Sequence, residues 1–235
     1  IAVTGFRVGE LLEQPNLGSV SCEAGLNGVV GKGLIDARVD GSVSQLEFNG
    51  YDYDSLRFGG RLTEKTFNGH VRADDPALRF DFQGEVGFNP ERPHYDFDLD
   101  LIHADLARMH LNRRDSVSVL SALVEARASG RTLDDLNGKV TVGDVVYRYN
   151  ADTLRTTRLT LDGSKYLSLQ SEFADATFRS RTDYKTVFEY LRSSLEKYIP
   201  LLYDERKARK RAAGAVSVVD DYSVLSVDVK HFTPV

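Results

Sequence analysis

The alternation of apolar and charged residues between positions 78 and 101 constrains the fold more than any other feature of this sequence. In LRFDFQGEVGF, apolar residues occupy every second position from Leu78 to Phe88, with Gly84 as the one gap. In YDFDLDL, a run that begins at Tyr95, apolar residues alternate with aspartates. Successive side chains of a strand point to opposite faces, so each run predicts a strand with one apolar and one charged face.

The same alternation recurs through most of the chain, between short turn signals such as NG, GG, DDP and NPERP. The further apolar positions are Leu46, Phe48, Leu56, Phe58, Leu62, Phe67, Val71, Ala73, Val140, Val142, Tyr147, Tyr149, Leu154, Leu159, Leu161, Leu167, Leu169, Phe173 and Phe178. FNGYDYDSLRFGGRL and VVYRYNADTLRTTRLTL both contain Tyr-x-Tyr, an acidic turn and a strand that begins with Leu. The pattern predicts a mostly β, elongated sheet of solenoid-like repeats with one face in water.

Two segments depart from this pattern. After a short helical turn predicted at 104–109, residues 116–130 fit a helix or a strand; the strand is favoured because the segment ends in Ser-Gly inside a β context. Residues 183–199 instead predict one long amphipathic helix, which Pro200 should kink or end near Ile199. Its apolar stripe consists of Tyr184, Phe188, Leu191, Leu195, Tyr198 and Leu202.

Composition excludes several classes of protein. The net charge of −5 and a pI near 5.6 argue against a nucleic-acid binder, which carries a basic field. Cys22 is the only cysteine, so no internal disulfide and no multi-cysteine metal site can form. No apolar run approaches the roughly 20 residues of a membrane-spanning helix. The chain begins with IAVTGF and ends with HFTPV, and we expect it to be a fragment of a longer protein.

No residue set predicts catalysis, a metal or a cofactor. The five histidines are dispersed, and the spacing of His103 and His110 matches no metal motif. Asp96, Asp98 and Asp100 alternate with apolar residues, which indicates the wet face of a strand rather than a calcium loop. Nucleophile elbows, phosphate loops and dinucleotide fingerprints are absent from the sequence. We therefore predict a protein that is not an enzyme.

A basic run follows the predicted helix in ERKARKR, residues 205–211. Its cations could contact anionic lipid headgroups, or they could form the solvated end of the helix. The candidate headgroup contacts are Arg206, Lys207, Arg209, Lys210 and Arg211.

Three stretches carry a resemblance to a known family. GRTLDDLNGKVTVGDVVYRYNADTLRTTRLTL, LSLQSEFADATFRSRTDYKTVFEYLR and the upstream DFDLDLIHADLARMHL are similar to the periplasmic region of TamB, the AsmA-like translocation and assembly module proteins, in their Bacteroidota form. The match is clearest over residues 95–195. The resemblance implies a β-taco, a long sheet curled so that one face forms an apolar groove. It also implies an envelope protein that faces the periplasm and is held in the inner membrane by an anchor absent from these residues.

The expected function follows from this resemblance and from the apolar face. We expect residues 1–182 to form the groove, 183–211 the helix and basic segment, and 212–235 the start of a further β-repeat. The groove would carry phospholipid acyl chains between inner and outer membrane, assist outer-membrane protein assembly with a β-barrel partner of the TamA or BamA type, or do both. The alternatives are a scaffold that pairs with client strands without conducting lipid, and a plain β-sandwich spacer. The predicted groove-lining residues are Phe58, Phe80, Phe82, Phe88, Phe97, Leu99, Tyr147 and Phe173.

Overall fold

In the computed structural model of the chain, the alternating segments form one open antiparallel sheet of fourteen strands. The structure describes residues 1–7, 9–10, 14–31, 34–132, 134–163, 166–171, 174–179 and 224–230, of which 75% are strand. The prediction of a mostly β chain is therefore confirmed. The helix predicted at 183–199 and the basic run at 205–211 lie outside the described residues, and the predicted domain boundaries stay a prediction.

The strands follow one another along the chain and across the sheet, so nearly every strand pairs with its sequence neighbours. In chain order they are β1 (Ala2–Arg7), β2 (Leu17–Gly31), β3 (Leu34–Phe48), β4 (Tyr51–Tyr53), β5 (Leu56–Thr63), β6 (Thr66–Asp74), β7 (Leu78–Gly87), β8 (His94–Asp105), β9 (Ser118–Ser129), β10 (Asn137–Tyr149), β11 (Asp152–Asp162), β12 (Tyr166–Ser171), β13 (Ala174–Arg179) and β14 (Val224–Val229). Only β4 lies off this path, where it pairs with β3.

Turn chemistry explains the β3–β4 hairpin. Asn49 and Gly50 have φ of 55° and 74°, the pair of positive values that a type I′ turn requires. The second turn signal, Gly59-Gly60, behaves differently, because it lies inside β5 rather than between strands. The prediction that GG separates two strands is therefore wrong, and these glycines have a different role within the sheet.

The register aligns apolar residues of successive strands into rows that cross the sheet. We name one of these rows the central row; over the eleven strands from β2 to β13 that it crosses, it spans about 50 Å at 4.8 Å per strand. Its members are Leu26, Val39, Gly60, Gly69, Gly84, Phe97, Ala126, Val140, Leu161, Leu167 and Phe178. These rows form the apolar face, and the intervening residues form the polar face.

Charged pairs between neighbouring strands cover the polar face. Arg127 contacts the carboxylates of Asp96 and Asp98 at 2.8 and 3.0 Å. Arg61 donates twice to Asp36, each time at 2.7 Å. These side chains are largely exposed, so each pair contributes little to stability, and their main effect is to keep this face in water.

The apolar face is not covered by a second layer of described strands. Substantial packing between strands occurs only between sheet neighbours in the described part of the chain. A closed core forms at one end of the strands, where Tyr53, Ala77, Ala104 and Met109 are buried together. We call this end the cluster rim; it carries the β3–β5, β6–β7, β8–β9 and β10–β11 connections.

Candidate functional site

The structure brings five of the eight predicted lining residues together on the apolar face. Phe58, Phe82 and Leu99 share one row, which we call the aromatic row, on β5, β7 and β8. The centroids of the Phe82 and Phe97 rings lie 5.1 Å apart, within the range of favourable aromatic pairs. Phe80 lies in the next row towards the cluster rim. All five side chains are half-buried, so they present a partly accessible apolar surface.

The other three predicted residues lie elsewhere. Phe88 follows the end of β7 and is 50% exposed, so it lies at the rim opposite the cluster. Tyr147 lies at the cluster rim, where its hydroxyl is 2.9 Å from the Ser118 hydroxyl and accepts a hydrogen bond from the Asn112 amide at 3.3 Å. Phe173 lies outside the described residues. The lining that the structure assembles is therefore narrower than the predicted one.

Three adjacent glycines interrupt the central row. Gly60, Gly69 and Gly84 are direct neighbours on β5, β6 and β7, and Phe97 follows them on β8. The row therefore lacks three side chains beside the aromatic row. A Cβ on Gly60 would meet the main chain of Asn68, and one on Gly84 would meet the main chain of Asp96 and Phe97. This close approach of backbones explains why Gly59-Gly60 occurs inside a strand.

Positive φ angles mark one glycine of the central row and two glycines of an adjacent row. Gly84 has φ of 142°, and Gly28 and Gly138, one row away on β2 and β10, have φ of 154° and 116°. Only glycine adopts such angles without strain. Glycine kinks at matching positions of neighbouring strands are a device by which sheets acquire curvature. The glycines therefore lie where a bend across β2–β10 would form the floor of a groove.

The cluster rim closes the apolar face at one end. Leu56, Leu101 and Leu120, which belong to the apolar face, pack against the buried Tyr53, Ala77, Ala104 and Met109. Met109 is 2% exposed and comes from the β8–β9 connection, so this connection folds over the ends of the strands. An apolar ligand on the face would meet a packed wall here.

A buried carboxylate anchors the turns of this rim. Asp75 is 1% exposed and accepts hydrogen bonds from the Tyr51 hydroxyl at 2.9 Å and from the backbone N–H groups of Asp54 and Ala77 at 3.0 and 2.7 Å. Burial, with the hydrogen bond to Asp75 as the second cause, raises the pKa of Tyr51 to about 12. Three donors on one carboxylate fix the β4–β5 and β6–β7 connections to each other. This arrangement is structural, because both carboxylate oxygens accept hydrogen bonds from the turns of the rim.

The described residues contain no group of three or more His, Cys, Asp or Glu side chains placed to hold a metal ion. A search of the same residues for helices long and apolar enough to cross a membrane finds none. Comparison of the chain with protein-family models, with curated proteins and with solved structures gives no match.

The β8–β9 connection holds functional candidates that the sequence analysis did not identify. The sequence predicted only a helical turn at 104–109, whereas β8 continues to Asp105 and the turn spans residues 106–110. Arg108, Arg113 and Arg114 are exposed on this connection. The sequence signal that could have identified this site is the presence of three arginines within seven residues. The structure places them beside the packed wall of the cluster rim.

Proposed function

We propose that the apolar face is a groove that binds phospholipid acyl chains, in the periplasmic part of an envelope protein of the TamB type. The observation that carries the proposal is the central and aromatic rows, which extend about 50 Å across the sheet at the usual strand spacing and are half-buried along most of their length, with Val39, Ala126 and Phe178 buried. Monomeric soluble proteins rarely leave a continuous apolar surface of this extent without an occupant.

The shape and chemistry of the face fit a linear apolar ligand. A chain lying along the three-glycine gap would contact Phe58 and Phe82 on one side and Phe97 at its end. Burial of apolar surface would stabilise it by about 25 cal/mol per Å². Polar residues occur on the opposite face, so the lined side lacks groups that would specify a hydrogen-bonding ligand. Acyl chains, which vary in length and have no polar atoms, match such a surface.

The direction of the rows supports conduction rather than a closed pocket. The rows run across the strands, so a chain could move from one strand to the next without crossing the cluster rim. The resemblance of residues 95–195 to TamB supports the same function, transport of phospholipid between inner and outer membrane. Residues of the apolar face bind the chains in this proposal and none acts as a catalyst.

A pair of neighbouring substitutions tests the proposal. Phe82 lies on the apolar face and Gln83 on the polar face of β7, and replacing either by glutamate adds one negative charge. The 235-residue chain, purified without lipid-stripping detergent, should retain phospholipid detectable by native mass spectrometry. Phe82→Glu should remove most of this lipid, because a carboxylate in an apolar groove is strongly unfavourable. Gln83→Glu should retain it.

A second variant separates lost binding from lost folding. Phe82→Thr places a β-branched residue, which strands favour, at this position and introduces no charge, and it should reduce bound lipid while far-UV circular dichroism stays unchanged. Absence of lipid from the unsubstituted chain, or equal lipid on Phe82→Glu and Gln83→Glu, would show that the apolar face is not a lipid groove.

A further inference from the structure

The connection between β8 and β9, residues 106–117, presents exposed side chains on a fixed backbone; we call it the arginine loop. Its Met109 side chain packs in the buried cluster and so fixes the loop to the ends of the strands. The Asn112 amide donates to Asp115 Oδ2 at 2.8 Å and to the Ser118 hydroxyl at 3.0 Å. The Nδ1–H of His110 donates to the carbonyl oxygen of Asn49 at 3.0 Å, which ties the loop to the β3–β4 turn. The loop therefore displays its outer side chains at little cost in conformational entropy.

The three guanidinium groups of the loop have no carboxylate partner among the described residues. Two arginines of the polar face, Arg61 and Arg127, differ in this respect, since each is bonded to one or two aspartates. The acid within the loop, Asp115, already accepts hydrogen bonds from the amides of Asn112 and Asn150 at 2.8 and 3.0 Å.

Asp105, which precedes the loop, accepts the backbone N–H of Arg108 at 3.0 Å. The Arg108 guanidinium lies 5.8 Å from the centre of the Tyr51 ring. This contact positions the Arg108 cation without neutralising it. Within the described part of the chain, the loop thus carries three cations whose charge no carboxylate offsets.

An exposed apolar side chain stands among these cations. Leu111 is 52% exposed and lies between Arg108 and Arg113 in the sequence, and Val117 at the end of the loop is 42% exposed. Cations that surround exposed apolar side chains are the combination by which surface segments bind at a membrane interface. A soluble phosphate ion has no apolar surface, so contact with Leu111 would not stabilise its binding.

We propose that the arginine loop docks onto an anionic phospholipid surface, with Arg108, Arg113 and Arg114 binding headgroup phosphates and Leu111 entering the interface. Arginine suits this task because its planar fork donates two parallel hydrogen bonds to phosphate oxygens. The loop lies at the cluster rim, so docking would set this edge of the sheet against the membrane. The proposal does not depend on what the apolar face binds.

Other charges at the same rim confine the binding to the loop. Asp52, Asp54 and Asp74 are exposed on the β3–β5 and β6–β7 connections. They repel an anionic surface, so the rim as a whole is not a basic patch. Binding is therefore expected to be lost when the loop alone is changed.

Co-sedimentation of the 235-residue chain with vesicles tests the proposal. The chain should bind vesicles of phosphatidylcholine and phosphatidylglycerol, weakly bind vesicles of phosphatidylcholine alone, and dissociate at high salt. The triple substitution Arg108→Gln, Arg113→Gln and Arg114→Gln should weaken binding to the anionic vesicles about 100-fold, at roughly fivefold per cation. Leu111→Ser should weaken it about fivefold.

Two control variants carry the same change in net charge. One replaces Arg57, Arg92 and Arg131, which are exposed on the polar face and the opposite rim, by glutamine. The other replaces Arg206, Arg209 and Arg211 by glutamine and so tests the basic run, which is the rival candidate for headgroup contact. Both should keep binding within a few-fold of the unsubstituted chain. If either control loses as much as the loop variant, or if the loop variant still binds, the loop is not the docking site.

Two further measurements complete the test. Inorganic phosphate at millimolar concentration should not displace the chain from vesicles, because displacement would indicate a pocket for soluble phosphate instead. Phe82→Glu should bind anionic vesicles as well as the unsubstituted chain does. This last variant separates the two proposals, since it removes lipid from the apolar face and leaves the loop intact.

Discussion

The centre of the apolar face and the cluster rim are built from the same residue types but differ in what covers them. At the rim, Leu56 and Leu101 pack beneath Tyr53 and Met109, which are contributed by β4 and the β8–β9 connection. At the centre, side chains such as Phe82 contact their neighbours within the sheet and stay half-buried. Alternation decides where a side chain points, whereas the connections decide whether it becomes core or surface.

This difference separates stability from binding along one sheet. The rim holds the described residues that are most completely buried, including Ala77 and the carboxylate of Asp75. The centre holds most of the rings that a ligand could contact. A molecule divided in this way can expose a long apolar face and still remain folded, because a buried cluster packs one edge of the sheet.

Substitution of one large apolar residue in each region gives the strongest test of this division. Met109→Ala should lower the free energy of unfolding by about 3 kcal/mol, because it leaves a cavity in the buried cluster. Phe82→Ala should lower it by only about 1 kcal/mol, because the ring is partly in water already. Urea denaturation followed by circular dichroism measures both values. Equal losses for the two variants would mean that the centre is as well covered as the rim.

The glycines that interrupt the central row allow a second test of how the centre of the apolar face is built. Gly84→Ala should cost about 2 kcal/mol of stability, because alanine at φ of 142° is strained and its Cβ would meet the main chain of Phe97. Gly25→Ala is the matched control, since a Cβ there meets only the Asp40 carbonyl oxygen, at 3.7 Å. It should change stability by less than about 0.5 kcal/mol in either direction. Thermal melts of the two variants distinguish these outcomes, and a neutral Gly84→Ala would remove the argument for a bend.

Much of the sheet could be predicted from the sequence because the side-chain period of a strand is fixed. The apolar positions between Leu56 and Leu101 lie on one face as predicted, and the segment Ser118–Ser129, which also fitted a helix, is a strand. Both results follow from local alternation and context. The helix predicted at 183–199 and the lining residue Phe173 lie outside the described residues, so those predictions remain open.

β-Bulges explain some of the side-chain orientations that the alternation pattern could not predict. Between Val142 and Tyr147 the register against β9 shifts, and Asp144 in this interval has φ of 48°. An extra residue reverses the alternation, so Val142 and Tyr147 contact the apolar side although their numbers differ in parity. A similar shift at Ile102 separates Leu101 from Ala104 on β8. No local residue pattern marks these positions, because a bulge depends on the pairing of two strands.

The arginine loop was missed for a related reason. Arg108, Met109 and Leu111 look like consecutive residues of a short turn, and nothing in their order shows that Met109 turns inward while the other two face solvent. That division arises only when the loop packs on the strand ends. Sites formed by loops over a sheet are therefore poorly visible to reasoning from periodicity.

The smallest expected effect concerns pH and again separates rim from centre. Tyr51 has a pKa raised from 10.0 to about 12, chiefly by burial and then by its hydrogen bond to Asp75. A folded-state pKa above the unfolded value stabilises the protein fully below pH 10, and this contribution is lost as pH rises from 10 to 12. The unfolding free energy of Tyr51→Phe should therefore fall less steeply over this interval than that of the unsubstituted chain. Phe82→Ala should leave the slope unchanged, because Phe82 lies outside the buried cluster against which Tyr51 packs. If Tyr51→Phe leaves the slope of the unfolding free energy against pH unaltered, ionisation of this hydroxyl does not contribute to the pH dependence of stability.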